Sequence, residues 1–254
     1  MTNRLDNLFN LDGRHALVTG GSSGIGLAIA EALGRQGASV TLVARRETEL
    51  LAASARLHDL GIRAEFLAAD LGKHEGPDAV VDAIKMPVDI LVNAAGINLR
   101  QPFESVTLEA FDAHMAIHLR APFRLVQRLA PGMAERHYGR VIMFGSLQSY
   151  RAFPNSAPYG AAKGGVLQLT RAIAEQWSRH GITCNAIVPG FFRTGLTEAV
   201  FKDEAIAARN AAQTAIGRNG VMEDLFGTAI FLASQASAYV TGQILPVDGG
   251  FTAK

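Results

Sequence analysis

Short apolar segments alternate with longer amphipathic segments along almost the whole chain, and this alternation constrains the fold more than any other feature. Some short segments are apolar at nearly every position, as in Val40–Ala44 and Ile90–Val92, which is typical of strands covered on both faces of a parallel sheet. The predicted strands are His15–Thr19, Ser39–Ala44, Ala64–Ala68, Asp89–Asn93, Arg140–Phe144, Thr183–Val188 and Gln243–Val247. The predicted helices are Ile25–Gln36, Glu47–Leu60, Thr107–Leu129, Tyr159–His180 and Glu223–Ala233.

No linker, repeat or low-complexity tract interrupts this pattern, so we expect residues 1–254 to form one α/β domain. A doubly wound parallel sheet of seven strands, with helices on both faces, accounts for the order of the segments. In such sheets ligands bind beyond the carboxyl ends of the strands. The candidate site residues below all follow a predicted strand or lie on the next helix.

The composition narrows the classes of function. The net charge is +1 without a basic cluster, so an electrostatic surface for nucleic acid or for membranes is not expected. The one cysteine allows no intramolecular disulfide and offers no metal-binding cluster, and we expect no metal. No apolar stretch is long enough to predict a membrane span. We therefore expect a cytoplasmic protein that acts on small molecules.

The first predicted strand runs directly into a glycine-rich loop that opens a helix, Thr19–Gly26. Gly20 permits a tight turn, Gly24 lets the backbone approach a pyrophosphate, and Gly26 permits close packing of the helix on the strand. The N-terminus of the helix adds free N–H groups and a partial positive charge for phosphates. A plain tight turn is the alternative, but the strand before and the helix after favour dinucleotide binding. The candidate contacts are Gly20, Ser22, Ser23, Gly24, Ile25 and Gly26.

The end of the second predicted strand bears on the choice of cofactor. Dinucleotide enzymes that prefer NAD place an acid there for the ribose 2′-hydroxyl, whereas this chain has Arg45 and Arg46 and no acid before Glu47. Arginine forms forked, charge-assisted hydrogen bonds to phosphate. We predict NADP(H) as the preferred cofactor, with NAD(H) still acceptable; the alternative is that both arginines are the solvated start of a helix.

Two further strand ends supply candidate cofactor contacts. Asp70, followed by Leu71, has a carboxylate that can accept a hydrogen bond from an adenine amino group, and it is equally consistent with a helix cap. Asn93, Ala94 and Gly96 close the fourth strand with mostly small residues, which would let the backbone pass close to the ribose.

Tyr159 and Lys163 stand four residues apart at the start of a predicted helix, and Ser146 follows the strand before it. Residues at this spacing share a helical face, so the ammonium can approach the phenol. Free tyrosine has a pKa of about 10, and a cation within about 4–6 Å can lower that value by roughly 1–3. We therefore expect Tyr159 to act as acid and base while Ser146 holds the substrate oxygen. An exposed helical pair is the alternative for Tyr159 and Lys163 taken alone.

The sixth predicted strand ends in a turn that begins with Pro189 and Gly190 and closes at Thr194. The turn offers backbone groups for a carboxamide, and Phe192 offers an apolar surface for a nicotinamide. The residues that follow are rich in alanine, and we expect residues 191–217 to form a mobile lid over the site. A surface helical hairpin is the alternative.

Together these motifs resemble the short-chain dehydrogenase/reductase family over about residues 8–251. The matching motifs are Thr19–Gly26, Asn93–Gly96, Ser146, Tyr159 with Lys163, Pro189–Gly190 with Thr194, and Val247–Gly250. The resemblance implies a Rossmann-type sheet, transfer of a hydride between NAD(P) and a carbonyl or alcohol carbon, and binding of the nicotinamide ribose by Lys163. It also implies a homotetramer or a homodimer.

Within the family the chain is most similar to gluconate 5-dehydrogenases and related sugar-acid dehydrogenases, in residues 97–103, 146–149 and 190–197. This similarity implies that Arg100 helps to bind the substrate, with Gln148 beside it. Reduction of a more hydrophobic carbonyl, such as an acyl thioester or a steroid, is the alternative, since Phe153, Phe191 and Phe192 would suit it.

One departure from the family pattern lies in the helix that follows Gly96. His118 stands where the family usually has an asparagine that holds a water leading to the lysine. Neutral imidazole can donate at one nitrogen and accept at the other, so His118 can replace that asparagine in a proton relay. If it cannot, the chain would be a cofactor-binding protein that has lost turnover.

Overall fold

A computed structural model describes residues 7–254 of the chain; residues 1–6, which belong to the predicted domain, lie outside the described part. The strands are β1 (His15–Thr19), β2 (Ser39–Ala44), β3 (Ala64–Ala68), β4 (Ile90–Asn93), β5 (Gly139–Phe144), β6 (Ile182–Pro189) and β7 (Ile244–Val247). The helices are α1 (Gly24–Arg35), α2 (Glu47–Asp59), α3 (Gly76–Ala83), α4 (Leu108–Met115), α5 (Ala121–Glu135), α6 (Ala157–Trp177), α7 (Glu198–Lys202), α8 (Glu204–Ala212) and α9 (Phe226–Ala233).

The strands form one parallel sheet in the order β3-β2-β1-β4-β5-β6-β7. The inner strands β1, β4 and β5 are buried at every position, as their apolar sequences require of a sheet covered on both faces. One core cluster packs α1, α2 and α9 on one face, and a second packs α3, α5 and α6 on the other. The doubly wound seven-stranded α/β fold predicted from the sequence is confirmed. In the described part of the chain, no helix is long and apolar enough to cross a membrane.

The helix predicted over residues 107–129 differs from the prediction in two ways. A π-helical turn, Ala116–Arg120, joins α4 to α5, so the hydrogen-bond ladder shifts within what the sequence predicts as one regular helix. Helix α5 then continues past Pro131 to Glu135, although proline removes one hydrogen bond of the ladder. Ala130 and Met133 on either side of that proline are 0% and 1% exposed, and their burial offsets the loss.

Helix α3, between Gly72 and Val88, has only 8 residues. The predicted helix over residues 223–233 begins with a 3₁₀ turn, Met222–Leu225, before α9. Further 3₁₀ turns are Phe103–Ser105, Leu147–Ser149, Ser178–His180, Gln235–Ser237 and Phe251–Ala253.

Candidate active site

The sheet reverses its order of winding between β1 and β4, and a cavity of about 440 Å³ opens beyond their carboxyl ends. Crevices at such a switch point are where doubly wound sheets bind their ligands. The lining residues come from four strand ends and from the start of the predicted lid. They are Gly20, Ser22–Gly26, Val43–Arg46, Ala69, Leu71, Ala94–Leu99 and Thr194–Leu196.

The glycine-rich loop has a geometry that side chains would not tolerate. Gly20 has φ +67° and Gly24 has φ +55°, both in the left-handed region. A Cβ atom on Gly26 would lie 2.3 Å from the carbonyl oxygen of Gly20, so that the first turn of α1 packs directly on the loop. The three glycines therefore form a bare backbone surface at a helix N-terminus, which fits a pyrophosphate.

Arg45 and Arg46 both line the same cavity and are both exposed, but their surroundings differ. Arg46 pairs with Glu49 one turn further along, where its Nη2 lies 2.6 Å from Oε2. Among the residues that the structure describes, Arg45 forms no ion pair. Arg45 is therefore the guanidinium that remains available for a phosphate on the ribose.

Asp70 and Asn93 lie beside the cavity rather than in its wall. The Oδ1 atom of Asp70 accepts a hydrogen bond from the Gly72 N–H (2.9 Å), and α3 begins only at Gly76, so Asp70 does not cap that helix. Asn93 is buried between strands and donates from Nδ2 to the sulfur of Met143 (3.3 Å).

A second cavity of about 190 Å³ continues from the first and shares Ile25, Gly96 and Thr194 with it. It contains Ser146, Tyr159 and Lys163, which the sequence analysis placed together, and it also contains His118. Its remaining wall combines polar and apolar side chains. The polar ones are Asn98, Arg100, Gln148 and Thr197, and the apolar ones include Phe144, Leu147, Phe153, Phe191, Phe192, Leu196 and Val200; Pro189 and Gly190 complete the wall.

Tyr159 lies on the first turn of α6, opposite Ser146. Burial raises the pKa of Tyr159 above its ordinary value, and the Ser146 side chain acts in the opposite direction. Ser146 is itself held in place, because its Oγ accepts from the Gln148 N–H (3.2 Å) and its N–H donates to Ser149 Oγ (3.1 Å). The phenol therefore carries its proton at neutral pH, and the Ser146 hydroxyl in the same cavity is held in place.

Lys163 lies one helical turn after Tyr159, and its side chain is almost fully buried. The Nζ atom donates to the carbonyl oxygen of Phe144 (2.6 Å) and lies 5.7 Å from the centroid of the Tyr159 ring. Burial lowers the pKa of Lys163 from 10.5 to about 7. The expected proximity of amine and phenol is present, but the lowering of the Tyr159 pKa by Lys163 that we expected from the sequence is not.

His118 lies in the π-helical turn with its ring edge-on to Tyr159, at 5.3 Å between ring centroids. Its Nε2 lies 2.8 Å from the carbonyl oxygen of Ile97, so Nε2 carries the proton of the neutral ring. Burial first, and the Lys163 amine second, lower the pKa of His118 well below its usual range. The Nδ1 atom is then a buried acceptor, and it has no hydrogen-bond partner in the described structure.

A second histidine lies against this site and was not among the residues predicted from the sequence. His114 is 0% exposed and packs against both the Tyr159 ring (6.3 Å between centroids) and the His118 ring (6.1 Å). Its spacing of four residues from His118 places the two rings on one helical face, and that spacing was the available signal.

Arg100 and Gln148 both line the second cavity, as the substrate-binding prediction requires. Arg100 is exposed and donates from Nη2 to the carbonyl oxygen of Pro154 (3.2 Å). The Oε1 atom of Gln148 is buried without a partner and can accept a hydrogen bond from a ligand. Among the described residues, no group of three or more His, Cys, Asp or Glu side chains is placed to hold a metal ion.

Comparisons with known proteins place this geometry among nicotinamide-dependent enzymes. Residues 20–252 match the family model described as enoyl-(acyl carrier protein) reductase. Gluconate 5-dehydrogenase of Gluconobacter oxydans (strain 621H) is 40% identical over 252 residues, which covers 97% of each chain.

Solved structures agree in fold and in sequence. A putative NAD(P)-dependent gluconate 5-dehydrogenase from Beutenbergia cavernae, with bound NADP, has a TM-score of 0.94 and 38% identity, and covers 98% of this chain and 100% of its own. A gluconate 5-dehydrogenase from Burkholderia cenocepacia J2315, in complex with NADP and tartrate, has a TM-score of 0.92 and 39% identity over 98% of each chain.

Proposed function

The chain belongs to the short-chain dehydrogenase/reductase family and is an NAD(P)-dependent oxidoreductase of CH–OH and C=O groups, and we propose that it interconverts a ketone and a secondary alcohol of a small sugar acid with NADP(H). The observation that carries the proposal is the position of Arg100 on the wall of the cavity that holds Ser146 and Tyr159. A guanidinium there can bind the carboxylate of a substrate whose reacting carbon faces the phenol. Relatives named for gluconate support this choice of substrate.

The cofactor fits the residues that line the continuous cavities. The bare backbone of Gly20, Gly24 and Gly26 would hold the pyrophosphate, and Lys163 and Tyr159 would contact the nicotinamide ribose. When bound, the reduced nicotinamide supplies a hydride for the carbonyl carbon. The nicotinamide would be enclosed on the β6 side by Pro189, Gly190, Phe192 and Thr194.

NADP(H) is favoured over NAD(H) because Arg45 lines the cavity without an ion-pair partner among the described residues. Arg46 is paired with Glu49, so we expect Arg46 to add positive charge beside Arg45 rather than to contact the phosphate itself. The adenosine part of the cofactor would be contacted by backbone groups and short side chains of Asp70, Leu71, Asn93 and Ala94.

Tyr159 donates its phenolic proton to the substrate oxygen during reduction, and Ser146 hydrogen-bonds the same oxygen. Both side chains line the same cavity, and this shared position supports these roles. During oxidation the phenolate form of Tyr159 must accept the proton of the alcohol, and Lys163 beside it stabilises that phenolate only when the amine is protonated. Positioned proton transfer of this kind contributes about 10²–10⁴ in rate.

His118 would then connect Tyr159 and Lys163 to solvent. Its buried, unpartnered Nδ1 acceptor supports this role, because such an atom fits a water or a hydroxyl that donates to it. The neutral ring is required, since a protonated ring has no acceptor nitrogen and would repel the Lys163 ammonium. The depressed pKa of His118 keeps the ring neutral at physiological pH.

Residues 191–217 are proposed as a lid over the substrate. Leu196, Thr197 and Val200 already line the reacting cavity, which supports the lid over a plain surface hairpin. The segment ends at Gly217, whose φ of +82° suits a hinge. Just before it, Thr214 is held by a hydrogen bond to the carbonyl oxygen of Ala211 (2.8 Å).

A homotetramer or homodimer in the cytoplasm completes the proposal. Exposed apolar side chains on α4 and α5, Leu108, Phe111 and Phe123, support self-association through these helices. A cytoplasmic location is proposed because the enzyme depends on a supply of NADP(H).

The test is a substrate comparison with purified protein, followed by absorbance of the reduced nicotinamide. We expect oxidation of gluconate with NADP to exceed that of glucitol, its uncharged counterpart, and to exceed that of apolar alcohols. In Arg100→Ala the KM for gluconate should rise about ten- to hundredfold, because a charge-assisted contact is lost. Arg100→Lys should be nearly as damaging, because lysine lacks the planar fork.

The exposed Arg63, at the opposite end of the sheet, gives a matched control, and Arg63→Ala should leave all these values unchanged. Faster turnover of apolar ketones or acyl thioesters than of sugar acids would overturn the proposal. Tight NADP binding without turnover of any tested alcohol would instead support a binding protein.

A further inference from the structure

His114 is a buried histidine whose two ring nitrogens both have assigned partners. Its Nδ1 lies 2.7 Å from the carbonyl oxygen of Ala110, which can only accept, so Nδ1 carries the proton. The unprotonated Nε2 of the neutral ring accepts a hydrogen bond from the Leu99 N–H (3.2 Å). The tautomer of His114 is therefore set by α4, and its acceptor nitrogen, Nε2, faces the loop after β4.

His118 binds the same loop two residues earlier, through the carbonyl oxygen of Ile97 (2.8 Å). The two rings stack at 26°, with 6.1 Å between their centroids, and together form a support for the loop. Ile97 and Leu99 are bound by their backbones to this support, whereas Asn98 lines the reacting cavity between them.

The next residue of the loop is Arg100, which also lines that cavity. Among the described residues, the loop from 94 to 100 has no regular secondary structure, so side chains such as His114 must supply partners for its N–H groups. Asn98 is fixed separately, because its Oδ1 accepts from Ser156 Oγ (3.0 Å).

We propose that His114 is a positioning residue for substrate specificity: by accepting the Leu99 N–H it holds the loop that places Arg100 on the wall of the cavity that contains Tyr159. This inference rests on the proposed function, since it assigns the discrimination of that site to a residue that does not touch the substrate. An apolar side chain of the same size would fill the space and leave the Leu99 N–H without its acceptor.

The first test is hydrogen exchange and needs no substrate. In the unaltered protein the amide of Leu99 should exchange more slowly than that of Asn98. In His114→Phe, which keeps a ring and loses the acceptor, Leu99 should exchange about five- to tenfold faster. His114→Gln, which retains an acceptor, should show a smaller increase. Exchange of Leu99 as fast as that of Asn98 in the unaltered protein would overturn the proposal, even if no variant folds.

The second test separates positioning from packing. In His114→Phe the KM for gluconate should rise about tenfold relative to that for glucitol, with the Kd for NADP unchanged within about twofold. His114→Gln should restore most of the preference. Equal losses of kcat on both substrates, with no restoration by Gln, would identify a packing role against Tyr159 and refute the proposal.

The two failures can be told apart. An unaltered protein that does not prefer gluconate over glucitol contradicts the proposed sugar-acid function. In that case the exchange rate of the Leu99 amide still shows whether His114 holds the loop that carries Arg100.

Discussion

Lys163→Met is expected to stabilise the cofactor-free protein while abolishing its activity. The amine is buried and has one hydrogen-bond partner, the carbonyl oxygen of Phe144. A pKa lowered from 10.5 to about 7 means that the charged form is disfavoured by about 5 kcal/mol in the fold, at about 1.4 kcal/mol for each tenfold step. The hydrogen bond returns about 1.5–3 kcal/mol of this. The net gain from an apolar residue of similar length is about 2–3 kcal/mol at pH 7.

The gain should depend on pH in a defined direction. Between pH 7 and pH 10.5 the unfolded chain binds a proton at Lys163 that the folded chain releases, so the stability of the unaltered protein rises with pH. The penalty is therefore fully relieved only above pH 10.5, grows as the pH falls from 10.5 to 7, and stays at its full size below 7. By pH 9 it should have dropped to about 2 kcal/mol, which the hydrogen bond balances.

Thermal unfolding of both proteins without cofactor provides the measurement. At pH 7 the Tm of Lys163→Met should exceed that of the unaltered protein by roughly 4–12 °C, and at pH 9 the two should nearly coincide. Lys73→Met, which replaces an exposed lysine, should leave the Tm unchanged at both pH values. A Lys163→Met protein that is less stable at pH 7, or a gap that is the same at both pH values, would refute the reasoning.

The remaining predictions concern the cofactor, the proton path and assembly. Arg45→Ala should weaken NADP binding about ten- to hundredfold and leave NAD binding unchanged, as measured by fluorescence titration; equal effects on both would contradict the assigned contact. His118→Leu should bind NADP but lose turnover, whereas His118→Asn should keep its turnover. The unaltered enzyme should lose activity only well below pH 6.5, where the ring with its depressed pKa gains a proton. A pH–rate profile of His118→Leu equal to that of the unaltered protein would exclude the relay. Gly26→Ala places a Cβ 2.3 Å from the Gly20 oxygen and should abolish NADP binding in an equilibrium dialysis assay. Sedimentation should show two or four chains, and a monomer at micromolar concentration would contradict the assembly.

Most of the fold could be predicted because its inner strands are buried on both faces. A strand covered on both faces must be apolar at consecutive positions, and this signal locates β1 and β2 to the residue. The same reasoning brings Ser146 and Tyr159 to one end of the sheet, since the residues that follow parallel strands share an edge.

The parts that could not be predicted depend on contacts between segments far apart in sequence. Periodicity gives the face of a helix but not its hydrogen-bond ladder, so the π-helical turn that holds His118 is invisible in it. The acceptor of the Lys163 amine is a backbone carbonyl on β5, and backbone groups carry no sequence signal. The spacing of His114 from His118 was visible in the sequence, but its role was not, because its partner is the backbone N–H of Leu99.

Burial acts on three titratable groups of the reacting cavity in the same direction, towards the neutral form. It raises the pKa of Tyr159 and lowers the pKa values of Lys163 and His118. The cofactor-free site therefore holds a protonated phenol beside an amine that is half-neutral near pH 7. Reduction requires that protonated phenol, whereas oxidation requires a phenolate and hence a charged Lys163 to stabilise it. Oxidation should accordingly gain more than reduction from any bound group that restores the charge on the amine. The ribose hydroxyls that we propose as partners of Lys163 can accept its hydrogen bonds.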